Sequence, residues 1–312
     1  MKILVLGAGG IGGYYGGRLA AAGADVTFLV RPRRAEQLRQ NGLVIKSPRG
    51  DLRQPVTTVL AERLRPGYDL IFLTCKAYDL AAAVEAVTPA VDARTALLPA
   101  LNGISHLDVL KEKFGKDRVL GGVAQIAVTL TPEGEIHHLS DFHVLVFGEL
   151  DGKRSPRCGD FAHLCAQAGF TSRLSDDIQL ELWEKFVFLC TLAAMTCLMR
   201  ANVGAIARSE DGAALVREML EECRKVAAAS GHEPRPEVMA RYASLLTDRR
   251  SAFTASMLRD IERGGPTEGE HIVGDMLRRA RALDIDAPLL RVARAHLQAY
   301  EQGRSAGENA TL

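Results

Sequence analysis

Several residue groups in this chain have types and spacings suited to chemistry, and the first is Gly7-x-Gly9-x-x-Gly12, entered from the apolar run Ile3 to Leu6. In such a turn the first glycine permits the change of direction. The second leaves room for a pyrophosphate, and the third lets the following helix pack on the strand. Free N–H groups at the start of that helix, on Gly10, Ile11 and Gly12, favour an anion without a basic side chain. These residues are expected to bind a dinucleotide.

The second group closes the next apolar run, VTFLV, with Arg31-Pro32-Arg33-Arg34. An acidic residue near this position accepts bonds from the ribose 2′-hydroxyl of NAD; a guanidinium instead pairs with a 2′-phosphate. The expected cofactor is therefore NADP(H), with Arg31 as its phosphate ligand. Arg33 and Arg34 read equally well as a solvated basic loop. Lys76 and Asn102 each follow an apolar run of the parallel-strand type, at the edge where such sheets bind ligands.

Lys185 stands in Leu182-Trp-Glu-Lys185, at the head of an otherwise apolar helical run. Two readings are open: a long side chain snorkelling to water, or a partly desolvated ammonium whose charged form is disfavoured, a proton donor near neutral pH. Glu268 lies in Pro266-Thr-Glu-Gly-Glu270, where Thr267 and Glu270 read as a capping box, so local pattern gives it no function. Ser256 reads as an ordinary helical serine. The eight histidines show no metal-ligand spacing, and no metal is expected.

Around these residues, strand and helix alternate to about residue 120. Strands are expected at Asp25 to Val30, Asp69 to Thr74 and Thr95 to Leu101, and helices at Tyr14 to Ala22 and Leu80 to Val87. Extended segments at Gly122 to Thr129, Glu135 to His138 and His143 to Phe147 read as an antiparallel extension of the same sheet. From Asp176 the helical period dominates. Helices are expected at Asp177 to Met199, Asp211 to Ala229, Arg235 to Leu246, Ala252 to Glu262, Glu268 to Leu283 and Pro288 to Gln302, with a frayed tail from Gly303 to Leu312.

This plan is α/β followed by all-α. A Rossmann dinucleotide-binding domain over residues 1–172 precedes a helical domain over 173–312, with the small-molecule site expected in the cleft between them. The near balance of 39 Lys plus Arg against 38 Asp plus Glu speaks against nucleic-acid and membrane partners. The six cysteines, without a C-x-x-C pair, and the strand at the very start point to a reduced, cytoplasmic protein without a signal peptide. Phe186 to Met199 is apolar but short for a membrane span and reads as a core helix. The apolar helical domain also suits a homodimer.

Taken together, GAGGIGGYYG, Arg31, the K-A-Y of Lys76, Asn102-Gly103, Trp183-x-Lys185, Ser256 and Thr267-Glu268 occur in the order and rough spacing of ketopantoate reductases (2-dehydropantoate 2-reductases), which the chain resembles over nearly its whole length. The resemblance implies NADPH-dependent reduction of a 2-keto acid, with Lys185 as the general acid. Lys76 and Asn102 would position cofactor and substrate, Ser256 would bind substrate, and Glu268 would bind near the ribose or substrate. The departures from the family are apolar. Leu189, Ala193, Ala194 and Val273 stand where pantoate-forming members carry asparagines and a proline, which implies a less polar or larger 2-keto acid. Rival readings are a dehydrogenase of a 3-hydroxy acid or polyol phosphate, and a non-catalytic NADP(H)-binding regulator.

Overall fold

The computed structural model describes residues 1–309 of the chain, with side chains to residue 306. By their contacts the residues form two compact units, Met1–Leu101 with His106–Gln179, and Asn102–Ser105 with Leu180–Leu312.

The first unit is built on a five-stranded parallel sheet. Its strands are β1 (Lys2–Leu6), β2 (Asp25–Leu29), β5 (Thr57–Val59), β6 (Leu70–Leu73) and β7 (Ala96–Pro99), in the order β5-β2-β1-β6-β7. β1 pairs in parallel with β2 on one side and β6 on the other, Leu6 standing opposite Leu29 and Leu73. Ile3, Leu4, Val5 and all of β6 and β7 are buried, which explains why these strands read as continuous apolar runs. Helices α1 (Gly10–Ala21), α2 (Pro32–Asn41), α3 (Leu80–Val87) and α4 (His106–Phe114) connect the strands. α1 begins four residues ahead of the expected Tyr14, on the glycines themselves.

The expected antiparallel extension of this sheet is replaced by a second five-stranded sheet. β3 (Leu43–Lys46), β4 (Leu52–Gln54), β8 (Leu120–Leu130), β9 (Ile136–Glu149) and β10 (Thr171–Leu174) form it, with α5 (Pro156–Gln167) between the last two. The two short segments expected at residues 135–138 and 143–147 are one continuous strand, β9. It pairs antiparallel with β8 and in parallel with β3 and β10, while a single parallel bridge from Leu97 to Val119 joins the two sheets. The physical reason is the glycine face of α1. A Cβ on Gly13 would lie 2.3 Å from Ile136, and one on Gly17 2.3 Å from Leu43, so β3 and β9 approach this helix as only glycine allows. Both faces of α1 are thereby used for packing.

The second unit is helical. α6 (Ile178–Met199) is followed by α7 (Val203–Arg208), α8 (Gly212–Ala229), α9 (Pro236–Leu246), α10 (Ser256–Glu262), α11 (Asp275–Ala282) and α12 (Pro288–Asn309). α6 is long and apolar enough to cross a membrane, but most of its apolar window is buried inside the protein. The buried carboxylate of Glu222 on α8 accepts the N–H groups of Leu289 and Leu290, each at 3.0 Å, and so caps α12 from a distance.

Three expected helix boundaries in this unit differ by more than one residue. The helix expected from Ala252 starts at Ser256, because the carbonyls of Ser251 and Phe253 accept the N–H groups of Gly204 and Val203, drawing that segment out along the start of α7. The helix expected from Glu268 opens instead as a π-turn, Glu270–Gly274, which runs into α11. α12 continues to Asn309 through most of the expected frayed tail, whose residues 310–312 lie outside the described part.

Candidate active site

The glycine turn sits at the carboxyl end of β1, the central strand. Gly7 has φ +87°, and its N–H bonds the carbonyl of Leu29 at the end of β2, 2.9 Å away. A Cβ on Gly12 would meet Thr74 Oγ1 at 2.3 Å and the Gly7 carbonyl oxygen at 2.4 Å, so helix and strand touch there. Beside Gly9, by contrast, a Cβ would find no atom within 4 Å. α1 has no acidic residue in its first turn, and its N-cap, Gly9, offers no side chain. Open space, a positive helix end and no competing carboxylate fit the phosphates of a dinucleotide.

Two arginines flank this turn in different ways. Arg31 is the N-cap of α2, largely exposed, and its guanidinium reaches Asp79 at 3.3 Å. Asp79 ends the short turn that Lys76 begins after β6, its N–H bonding the Lys76 carbonyl at 3.0 Å. Because β1 lies between β2 and β6, the Arg31–Asp79 pair joins the segments that follow the two strands flanking it. Arg34 is half-buried and structural. Its Nε and Nη2 donate to the Ala8 carbonyl at 3.1 and 2.9 Å, and Nη1 donates to the Gly134 carbonyl at 2.9 Å. The solvated-loop reading of Arg34 is thus replaced by a clamp. A trans peptide points its C=O and N–H in opposite directions, so holding the Ala8 carbonyl on Arg34 turns the Gly9 N–H away from it.

The remaining candidates lie in the second unit. α6 carries Lys185 on a half-buried stripe of Glu181, Lys185, Phe188 and Leu189, while Leu182, Trp183, Phe186, Val187 and Cys190 are buried. Burial pulls the Lys185 ammonium pKa down to about 8, and the Glu268 carboxylate opposes that fall. Glu268 is itself buried, immediately ahead of the π-turn. No capping box forms beside it. Thr267 gives its N–H and its Oγ1 hydrogen to Glu301 of α12, each at 2.7 Å, while Glu270 turns to Arg294 and Gln298. The arginine of α12 offers Glu270 a better partner than a backbone amide does.

His271, in the π-turn, connects this region to Asn102. Its Nδ1 lies 3.1 Å from Ser105 Oγ, and a Cβ on Gly103, the residue after Asn102, would come within 3.0 Å of its Cδ2. Burial pushes the His271 pKa down, with Glu268 and Asp275 acting against it. Ser256 opens α10, three residues after Phe253. The structure therefore groups Lys185, Glu268 and Asn102 with Ser256 in one unit, and the glycines, Arg31 and Lys76 in the other. Sequence reasoning missed Asp79, His271 and the Arg34 clamp. No local pattern marks them, since each acts through a partner distant along the chain.

Comparison with known proteins places the chain as a whole. A protein of Bacillus subtilis (strain 168), the uncharacterized oxidoreductase YkpB, is 37% identical over 96% of this chain and 99% of its own. The 2-dehydropantoate 2-reductase of Archaeoglobus fulgidus is 27% identical over 97% of this chain and 98% of its own. The crystal structure of a PanE/ApbA family ketopantoate reductase from Ralstonia eutropha JMP134 superposes with a TM-score of 0.89 at 27% identity, covering 98% of this chain and all of that one. The model of ketopantoate reductase PanE/ApbA matches residues 3–152, and that of its C-terminal part matches 177–301. The two matches together cover residues of both units, and the chain belongs to the ketopantoate reductase family of oxidoreductases.

Proposed function

We propose that this protein reduces a 2-keto acid to the 2-hydroxy acid with NADPH, and that Lys185 is the general acid. The observation that carries the reading is the placement of Lys185 on the largely apolar α6, in the same unit as the buried Glu268, where burial draws its pKa down to about 8. A lysine at its ordinary value would hold its proton too tightly to be an efficient donor near neutral pH.

The dinucleotide, when bound, supplies a hydride, two electrons with one hydrogen, to the carbonyl carbon. Lys185 Nζ gives its proton to the carbonyl oxygen, so the C=O π bond breaks as a C–H and an O–H bond form, and the lysine regains a proton from solvent. Its positive charge also stabilises the oxygen as negative charge develops there. Glu268 keeps the lysine charged against the pull of burial. Asn102 and Ser256 offer hydrogen-bonding groups for the acid, and His271 packs against Gly103, the residue after Asn102.

In the first unit, Gly9, Gly10, Ile11 and Gly12 receive the pyrophosphate, Arg31 takes the 2′-phosphate, and Lys76 lies at the same sheet edge. Loss of NADPH absorbance with a set of 2-keto acids, ketopantoate included, tests the reading. Lys185→Ala is expected to lower turnover by roughly 10²-fold or more while NADPH still binds. A variant with near-normal turnover removes Lys185 from the mechanism.

A further inference from the structure

The half-buried face of α6 changes character one turn beyond Lys185. Phe188 and Leu189 continue the same stripe and present only carbon. Phe188 stands at the centre of an aromatic cluster, with its ring centroid 4.7 Å from that of Tyr242 on α9 and 6.2 Å from that of Phe253. Phe253 leads into Ser256 and keeps 40% of its surface exposed. Ala193, Ala194 and Val273 are fully buried and add no hydrogen-bonding side chain.

A 2-keto acid places its carboxylate and ketone on adjacent carbons, so polar groups that hold both also fix the direction of the third substituent. Glu181 and Lys185 are the polar part of this stripe, and the aromatic cluster follows Lys185. A hydroxylated substituent laid on Phe188, Leu189 and Phe253 would lose its water partners and gain no hydrogen bond from these carbon-only side chains. A ring would find an exposed phenylalanine face to pack on.

We propose that the substrate of this chain is a 2-keto acid with an aromatic or similarly bulky apolar side chain, seated against Phe188, Leu189 and Phe253. This inference rests on the reading of Lys185 as proton donor to a 2-keto acid. Phe188 and Phe253 are the residues that set the selectivity, and Tyr242 packs against the Phe188 ring.

The test is a panel of phenylpyruvate, benzoylformate, 4-methyl-2-oxopentanoate, ketopantoate and pyruvate, each assayed with NADPH and with NADH. The expected result is kcat/KM for an aromatic acid at least about tenfold above that for ketopantoate. Phe253→Asn, at a half-exposed position, and Phe188→Leu are each expected to lower the phenylpyruvate-to-pyruvate selectivity ratio by about tenfold, chiefly through KM. Circular dichroism checks that both variants fold. A preference for ketopantoate, or a selectivity ratio unmoved in both folded variants, overturns the substrate assignment and leaves the reductase reading standing. No turnover of any of these acids with either cofactor removes the reductase reading and this inference with it.

Discussion

Glu184 and Arg235 form a three-bond contact beside the proposed acid. The Glu184 carboxylate, buried on α6, accepts the Arg235 backbone N–H at 2.9 Å, its Nε at 2.8 Å and its Nη2. Adjacent residues on a helix point about 100° apart. Pinning Glu184 to the start of α9 therefore sets the face on which Lys185 emerges. Arg235→Ala leaves a buried carboxylate without its cation and is expected to cost about 3 kcal/mol of stability, read from urea denaturation. An effect below about 0.5 kcal/mol, the size of an exposed pair, would show that the contact anchors nothing.

Lys185 links activity and stability to pH with opposite signs. Reduction needs the ammonium, so kcat/KM for the keto acid is expected to be level below about pH 8 and to fall above it. For stability, the folded pKa lies below the unfolded one, so the charged lysine destabilises the fold. That cost is complete below about pH 8 and disappears as pH rises toward 10.5. Lys185→Met is expected to stabilise at pH 7 by on the order of 1–3 kcal/mol, discounted for partial solvent access, and by less at pH 10. A gain in Tm that is equal at both pH values would contradict the depressed pKa.

Arg31 is expected to discriminate between cofactors. Its exposed pairing with Asp79 is worth little, so a phosphate dianion displaces the carboxylate readily. Arg31→Ala should weaken NADPH binding by about tenfold or more with little change for NADH, and Asp79→Asn should tighten NADPH a few-fold. Cofactor titrations by fluorescence check both, and an equal loss for NADPH and NADH would sink the 2′-phosphate role.

Arg34 has a different signature. Because it holds the Ala8 carbonyl of the turn and has no free donor fork for the ribose, Arg34→Gln should weaken NADPH and NADH by the same factor. About tenfold is expected from the loss of charge-assisted bonds. A loss confined to NADPH would place Arg34 on the phosphate instead.

Gly12→Ala probes the contact between helix and strand. Its new methyl would overlap Thr74 Oγ1 and the Gly7 carbonyl, and the backbone oxygen cannot move aside without opening the turn. Dinucleotide binding is expected to fall by about tenfold or more, alongside a loss of roughly 1–3 kcal/mol in stability. The same substitution at Gly9, where a Cβ meets nothing in the protein, should leave stability nearly unchanged while still hindering the cofactor.

What the amino-acid sequence determined by itself was whatever depends on near neighbours. The apolar runs of β1, β6 and β7 announce buried parallel strands, and the glycine spacing announces the turn that follows the first of them, since both are local demands of backbone geometry. The long apolar α6 with its isolated lysine was equally legible. The tertiary structure alone decided matters that depend on partners far along the chain. It made β8 and β9 part of a second sheet, because the glycine face of α1 accepts Ile136 and Leu43. It joined residues 102–105 to the helical unit, where His271 meets Ser105 and packs against Gly103. It set Arg34 on the Ala8 carbonyl and gathered Phe188, Tyr242 and Phe253 into one cluster. Such contacts follow from packing between elements, and periodicity within a segment carries no record of them.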